Sequence, residues 1–135
     1  MSKTITSIEG IGPAYAEKLE SAGVKTVESL LEKGSQKGGR KEIAETSGLN
    51  ESLVLSWVNM ADLFRINGVA GQFAELLKAT GVDTVKELAQ RNPESLHKML
   101  TETNEQKHLT KVIPNVEKIT DFIDQAKNLD QKVFH

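Results

Sequence analysis

The residues in this chain best suited to chemistry are two glycines and a proline, Gly10-Ile11-Gly12-Pro13, followed by Ala14 and Tyr15. Glycines one residue apart let the backbone turn tightly, and proline at a first helical position starts a helix at once. The amides left unpaired at such a start face outward where the helix dipole favours an anion. Gly10, Ile11, Gly12, Ala14 and Tyr15 can therefore take a phosphate, with Lys18 assisting. The same glycines serve equally as a tight helix start with no ligand, and both readings stand. Catalysis has little to draw on. His97, His108 and His135 are scattered, with no carboxylate or second histidine at metal-ligand spacing. Glu42 with Glu45, and Asp121 with Asp124, lie on polar helix faces where solvation accounts for them. A nucleotide-binding loop would need a further glycine and a preceding strand. The chain reads as a non-enzyme: no catalytic residue, no metal site and no cofactor is expected.

The elements that must position these residues are helical and duplicated. Residues 8–31 align without a gap on residues 66–89, and ten of the 24 pairs are identical. Gly10 matches Gly68, Leu19 matches Leu77, Gly23-Val24 matches Gly81-Val82, and Thr26-Val27 matches Thr84-Val85. Pro13 opens a helix with Ala16 and Leu19 inward, and Gly23 stops it. Thr26 caps a second helix through Leu31, and its partner Thr84 has Glu87 three residues on, the pattern of a capping box. Gly34-Ser-Gln-Lys-Gly-Gly-Arg40 reads as a flexible turn, and its basic run of Lys33, Lys37, Arg40 and Lys41 has no acid within it. A third helix stops at Gly48. Asn50 caps a fourth, whose stripe of Leu53, Val54, Trp57, Val58 and Ala61 has helical spacing. In the second half, Asn92-Pro93-Glu94 starts a helix, Leu109 to Ile113 marks a turn, and Asn115 caps a last helix. There Ile119, Phe122, Ile123 and Ala126 fall where Val54, Trp57, Val58 and Ala61 stand in the first half. The offset has grown from 58 to 65, so seven residues are added around Thr101 to Lys111. Thr4-Ile5-Thr6 is the sole β-like run, and the chain is expected to be all-α.

Composition removes whole classes. At 135 residues and 38% hydrophobic content the chain can bury one core of ordinary size. The 17 basic and 19 acidic residues divide evenly between the halves, so neither is a basic arm that would attract nucleic acid strongly. Cysteine is absent, which excludes disulfides and thiol chemistry. No apolar run approaches a signal peptide or a membrane span, so a cytoplasmic protein without membrane partners is expected.

Gly10-Ile-Gly-Pro-Ala-Tyr-Ala-Glu-Lys-Leu19 resembles the helix-hairpin-helix motif: glycine, aliphatic, glycine, three variable residues, alanine, two more, then an aliphatic. The resemblance implies that this hairpin holds a DNA backbone phosphate through amides without reading bases. The second hairpin, with Gly68 and Gly71, departs from the pattern because Ala70 replaces the second glycine, so packing is the better expectation there. Lys37, Arg40 and Lys41 are the auxiliary basic residues. Over residues 5 to 129 the chain resembles a bacterial family of tandem helix-hairpin-helix repeats known as a domain of unknown function. The resemblance rests on Ile-x-Gly-Ile-Gly-Pro, Ala-Gly-Val-x-Thr-Val, Gly-Arg-Lys-Glu-Ile-Ala-Glu-x-x-Gly and Ala-Gln-Arg-Asn-Pro-Glu-x-Leu. It implies one domain, 1–135, of two repeats, 1–65 and 66–135, closed into a pseudo-symmetric globule. A complete unit needs a helix before its hairpin, so the helix Asn115 to Leu129 is expected to fold back near Ile8, Ile11 and Leu19. The partner is either DNA backbone, bound non-specifically, or another protein.

Arg40 to Trp57 also fits helix-turn-helix spacing. The chemistry does not follow. Asn50 to Asn59, where a recognition helix would lie, has no positive charge and carries Glu51, so base readout is not expected and a packing turn is.

Overall fold

The computed structural model describes residues Lys3–His135, and every regular element among them is helical. A 3-10 turn at Ile5–Ser7 precedes α1 (Pro13–Ser21), α2 (Val27–Gly34), α3 (Lys37–Ser47) and α4 (Glu51–Leu63). Then come α5 (Gly71–Ala79), α6 (Val85–Ala89), α7 (Pro93–Lys107) and α8 (Val116–Lys127). The β-like run contributes only an isolated antiparallel bridge between Thr4 and Thr26. The chain divides into two compact units. One holds the residues up to Asp62 together with Lys132–His135, and the other is Leu63–Gln131.

In the first unit α1 starts at Pro13 and buries Ala16 and Leu19. Thr26 and Ser29 cap α2 reciprocally: Ser29 N–H donates to Thr26 Oγ1 at 3.0 Å, and Thr26 N–H donates to Ser29 Oγ at 3.1 Å. The segment from Gly34 to Arg40 is not a flexible turn. α2 runs through Gly34 and α3 begins at Lys37, so only two residues lie between helices. Its glycines serve close packing: a Cβ on Gly34 would collide with the Val58 side chain, and one on Gly39 with the carbonyl of Lys33. The side chain of Asn50 accepts from Ser52 N–H at 2.8 Å to start α4, which buries Val54, Trp57 and Val58. The turn between α3 and α4 passes through Gly48 at φ 74°, and the inward face of α4 is apolar packing.

The second unit repeats the backbone bonds of the first. Ile11 N–H to Ile8 O at 3.1 Å recurs as Val69 to Ile66 at 3.1 Å. Val24 to Leu19 at 2.9 Å recurs as Val82 to Leu77 at 2.8 Å. A long cation caps the same carbonyl in each: Lys33 Nζ donates to Gly23 O at 2.9 Å, and the Arg91 guanidinium to Gly81 O at 3.2 Å. Thr84 Oγ1 accepts from Glu87 N–H at 3.3 Å, but the Glu87 carboxylate turns to Arg91 at 3.1 Å instead of returning to the cap. The full capping box belongs to Thr26, where the Ser29 hydroxyl does accept from the cap N–H. The added residues appear as a longer α7, 15 residues against 11 in α3, and a longer connection after it. His108 takes a left-handed conformation at φ 51°, and the Asn104 side chain holds the turn by accepting from Leu109 N–H at 2.9 Å and Thr110 N–H at 3.0 Å.

α8 packs on α6 and α7, and Phe122 meets Phe73 with ring centroids 5.6 Å apart. Phe122 lies against the glycine turn of its own unit, at Gly68. The first unit has the same arrangement, where Trp57 from α4 meets Tyr15 at 5.1 Å beside Gly10. Each glycine turn thus receives an aromatic ring from a later helix of the same unit.

Candidate functional site

The first glycine turn places a helix start in the open. Gly10, at φ +94°, makes the reversal, and Gly12 is the N-cap of α1 in ordinary extended conformation at φ −86° and ψ −176°. Among the described residues no side chain caps this end. Ala16 N–H is the first to close a helical bond, to Gly12 O at 2.9 Å, and proline has no N–H, so Ala14 and Tyr15 offer the unpaired amides. Lys18 is exposed four residues beyond Ala14, on the same helix face. Tyr15 is half-exposed and meets Trp57 edge-on, the ring planes 62° apart. Ile11 is a correction to the sequence reading: its side chain is buried and its N–H is spent on Ile8 O.

Gly12 is unlike Gly10. A Cβ built on it meets nothing within 4 Å, and its φ suits any residue. Ala70 occupies the same place at the start of α5, at φ −124° and ψ −178°. The turn therefore forms with or without glycine at this position.

The second turn offers a different set of groups. Gly71 stands where Pro13 stands in the first and so contributes an N–H that proline lacks. Lys118 on α8 reaches over the Phe122 ring, its Nζ 5.4 Å from the centroid, and Phe122 Cε1 lies 3.0 Å from the point where a Cβ on Gly68 would stand. Gln125 holds the turn by accepting from Asn67 N–H at 2.8 Å and donating to Asn67 O at 3.2 Å. Lys118 and Gln125 were not singled out in the sequence. The available signal was the correspondence of α8 with α4, which ties each late helix to a turn.

The basic residues do not gather at the first turn. Arg40 is buried, 5% exposed, and its guanidinium donates to Gly34 O at 2.8 Å, Ser35 O at 3.2 Å and Phe134 O at 2.7 Å. Burial pulls its pKa below the ordinary arginine value, and the charge of Glu51 opposes that pull. Arg40 is thus an internal clamp, not an auxiliary phosphate ligand. Lys37 lines a groove with Arg40, Glu51, Ser52, Leu55 and His135, and Lys41 one with Ala44, Glu45, Gly48, Leu49 and Glu51. Neither groove includes a residue of the Gly10–Lys18 turn. Lys33 is committed to Gly23 O. Among the described residues no group of three or more His, Asp or Glu is placed to hold a metal ion, and no helix is long and apolar enough to cross a membrane.

These features define an all-helical protein with two glycine turns, each leading into a helix start that no side chain caps among the described residues. The chain matches the family described as Domain of unknown function (DUF4332) over residues 9–129, and it belongs to that family. No curated protein and no solved structure matches it.

Proposed function

We propose that the chain is a non-enzymatic tandem helix-hairpin-helix module of the cytoplasm whose first hairpin takes a DNA backbone phosphate, weakly and without reading bases. The observation that carries this reading is Gly12, a glycine the fold does not require, beside the unpaired amides of Ala14 and Tyr15. A residue without a side chain there lets a ligand approach the amides closely. The tandem reading draws on the backbone bonds that recur from one unit to the next.

Titration of labelled duplex and single-stranded DNA at low and moderate salt tests the proposal. Binding should be indifferent to sequence, with a log–log salt slope of about −2 to −4 for a handful of phosphate contacts. Gly12→Val should abolish it and leave the helical signal intact, at a capping cost of about 0.5 kcal/mol. Ala70→Val should do little. A flat titration of the parent protein at low salt, up to high micromolar concentration, would remove the nucleic-acid reading. A protein-contact module is the second reading. It is favoured by exposed Glu9 and Glu17, which flank the same hairpin against a single lysine, Lys18.

A further inference from the structure

We propose that the indole N–H of Trp57 is an additional donor of the first hairpin, giving a hydrogen bond to an oxygen of the nucleic-acid phosphate held there. The inference rests on the proposed phosphate-binding function and adds a side-chain ligand to it.

Trp57 is a core residue of the first unit, only 3% exposed. A buried indole N–H normally finds an acceptor, because an unmade hydrogen bond in a desolvated place is costly. Here it has none among the described residues. Nor is it a sealed-off atom: among the described residues the buried side-chain nitrogens and oxygens without a partner comprise Asn59 Oδ1 alone, so the small remaining exposure of Trp57 includes its nitrogen. Its position is fixed by the hairpin. Nε1 is the atom that a Cβ on Gly10 would meet, at 3.9 Å, so the donor comes to the surface beside the bare backbone of the reversal. The ring packs on Tyr15, whose own amide is one of the two unpaired at the start of α1.

The second unit serves as an internal control. Its corresponding ring is Phe122, which has no donor and lies closer, 3.0 Å from the Cβ position of Gly68. The two units share the backbone of the turn, and two of their differences bear on how an anion would be received at it. The first has Gly12 and a tryptophan; the second has Ala70 and a phenylalanine. Neither difference is needed to build the turn, since the second unit forms it without them. Both make the first turn more receptive to an anion, one by removing bulk and one by adding a donor.

Trp57→Phe tests this, since it keeps an aromatic ring against Tyr15 and removes the N–H. Its binding to a mixed-sequence duplex at low salt should fall about tenfold, the worth of one hydrogen bond to a charged acceptor. Since Trp57 is the sole tryptophan, the parent protein gives a single indole N–H resonance, which should move downfield as the same duplex is added. This second measurement stands even if Trp57→Phe folds poorly. Equal affinity of a folded Trp57→Phe variant, or an indole resonance that stays fixed at saturating duplex, would overturn the inference while leaving phosphate binding by the amides intact. If the parent protein binds no duplex, the proposed function falls and the inference with it.

Discussion

Replacing Arg40 by alanine removes a cation that joins two parts of the first unit far apart in sequence. Its guanidinium holds Gly34 O and Ser35 O, where α2 ends, and Phe134 O in the returning segment. A hydrogen bond to a charged group contributes roughly 1.5–3 kcal/mol, so three independent bonds would suggest about 5–9 kcal/mol. The real loss is smaller for two structural reasons. Ser35 O keeps a partner in Phe134 N–H at 2.8 Å, and removing the guanidinium also removes the burial penalty that lowers its pKa. A cost of about 2–4 kcal/mol remains. With a urea slope of about 1–2 kcal/mol/M, the midpoint should drop by roughly 1–4 M. Trp57 fluorescence can follow the transition. Arg40→Lys should lose about half as much, because one ammonium cannot span acceptors that a planar fork reaches together. The Phe134 amide should lose its protection from hydrogen exchange in both variants. A pKa lowered in the folded state makes stability rise with pH only in the alkaline range where the guanidinium titrates, so Arg40 should add no pH dependence to stability in the neutral range. If both variants unfold with the parent's midpoint, the clamp contributes nothing and the reasoning is wrong.

Three glycines close together in sequence should respond in opposite senses. Gly34→Ala and Gly39→Ala force a Cβ into Val58 and into the carbonyl of Lys33, and should each lower stability by about 1–3 kcal/mol; Gly38→Ala, with nothing within 4 Å, should raise it by about 0.5–1 kcal/mol. Thermal melts of the three single variants decide this, and a stabilised Gly39→Ala would mean that α2 and α3 do not pack as described. Trp57→Ala and Phe122→Ala should each cost about 3–5 kcal/mol, since both rings are buried over a glycine turn. A shift of only a few degrees for Trp57→Ala would make α4 peripheral to its unit.

The helices were largely legible because their signals are local. Pro13, Thr26, Asn50, Asn92 and Asn115 start helices where capping chemistry says they should, and all but one of those caps are side-chain oxygens accepting a backbone N–H. The misreadings concern what only tertiary packing decides. Gly34, Gly38 and Gly39 looked like a mobile turn, since sequence does not distinguish a glycine that permits motion from one that permits contact. Arg40 looked like a surface cation. Its acceptors include Phe134, 94 residues away, which no local pattern announces. Ile11 matched a motif position, and the structure shows that position to be structural: its amide closes the turn in both units.

The duplication supplies an argument that a single copy could not. Where both units keep a residue or a bond, as in the reversal at Gly10 and Gly68 or the carbonyl capped by Lys33 and Arg91, the simplest cause is the fold itself. Where the backbone agrees and the residues differ, the fold has been satisfied twice by different means, and the difference is free to serve something else. Gly12 against Ala70 and Trp57 against Phe122 fall in this second class, and both lie on the open face of the same turn. Pro13 against Gly71 runs the other way, since it gives the second turn one more amide than the first. The second turn adds Lys118 nearby, but its ring crowds Gly68 more closely and its N-cap carries a side chain. Steric access therefore favours the first turn and formal charge the second. For an anion as large as a backbone phosphate, access comes first, because a hydrogen bond to an amide is lost within a few tenths of an ångström of forced separation.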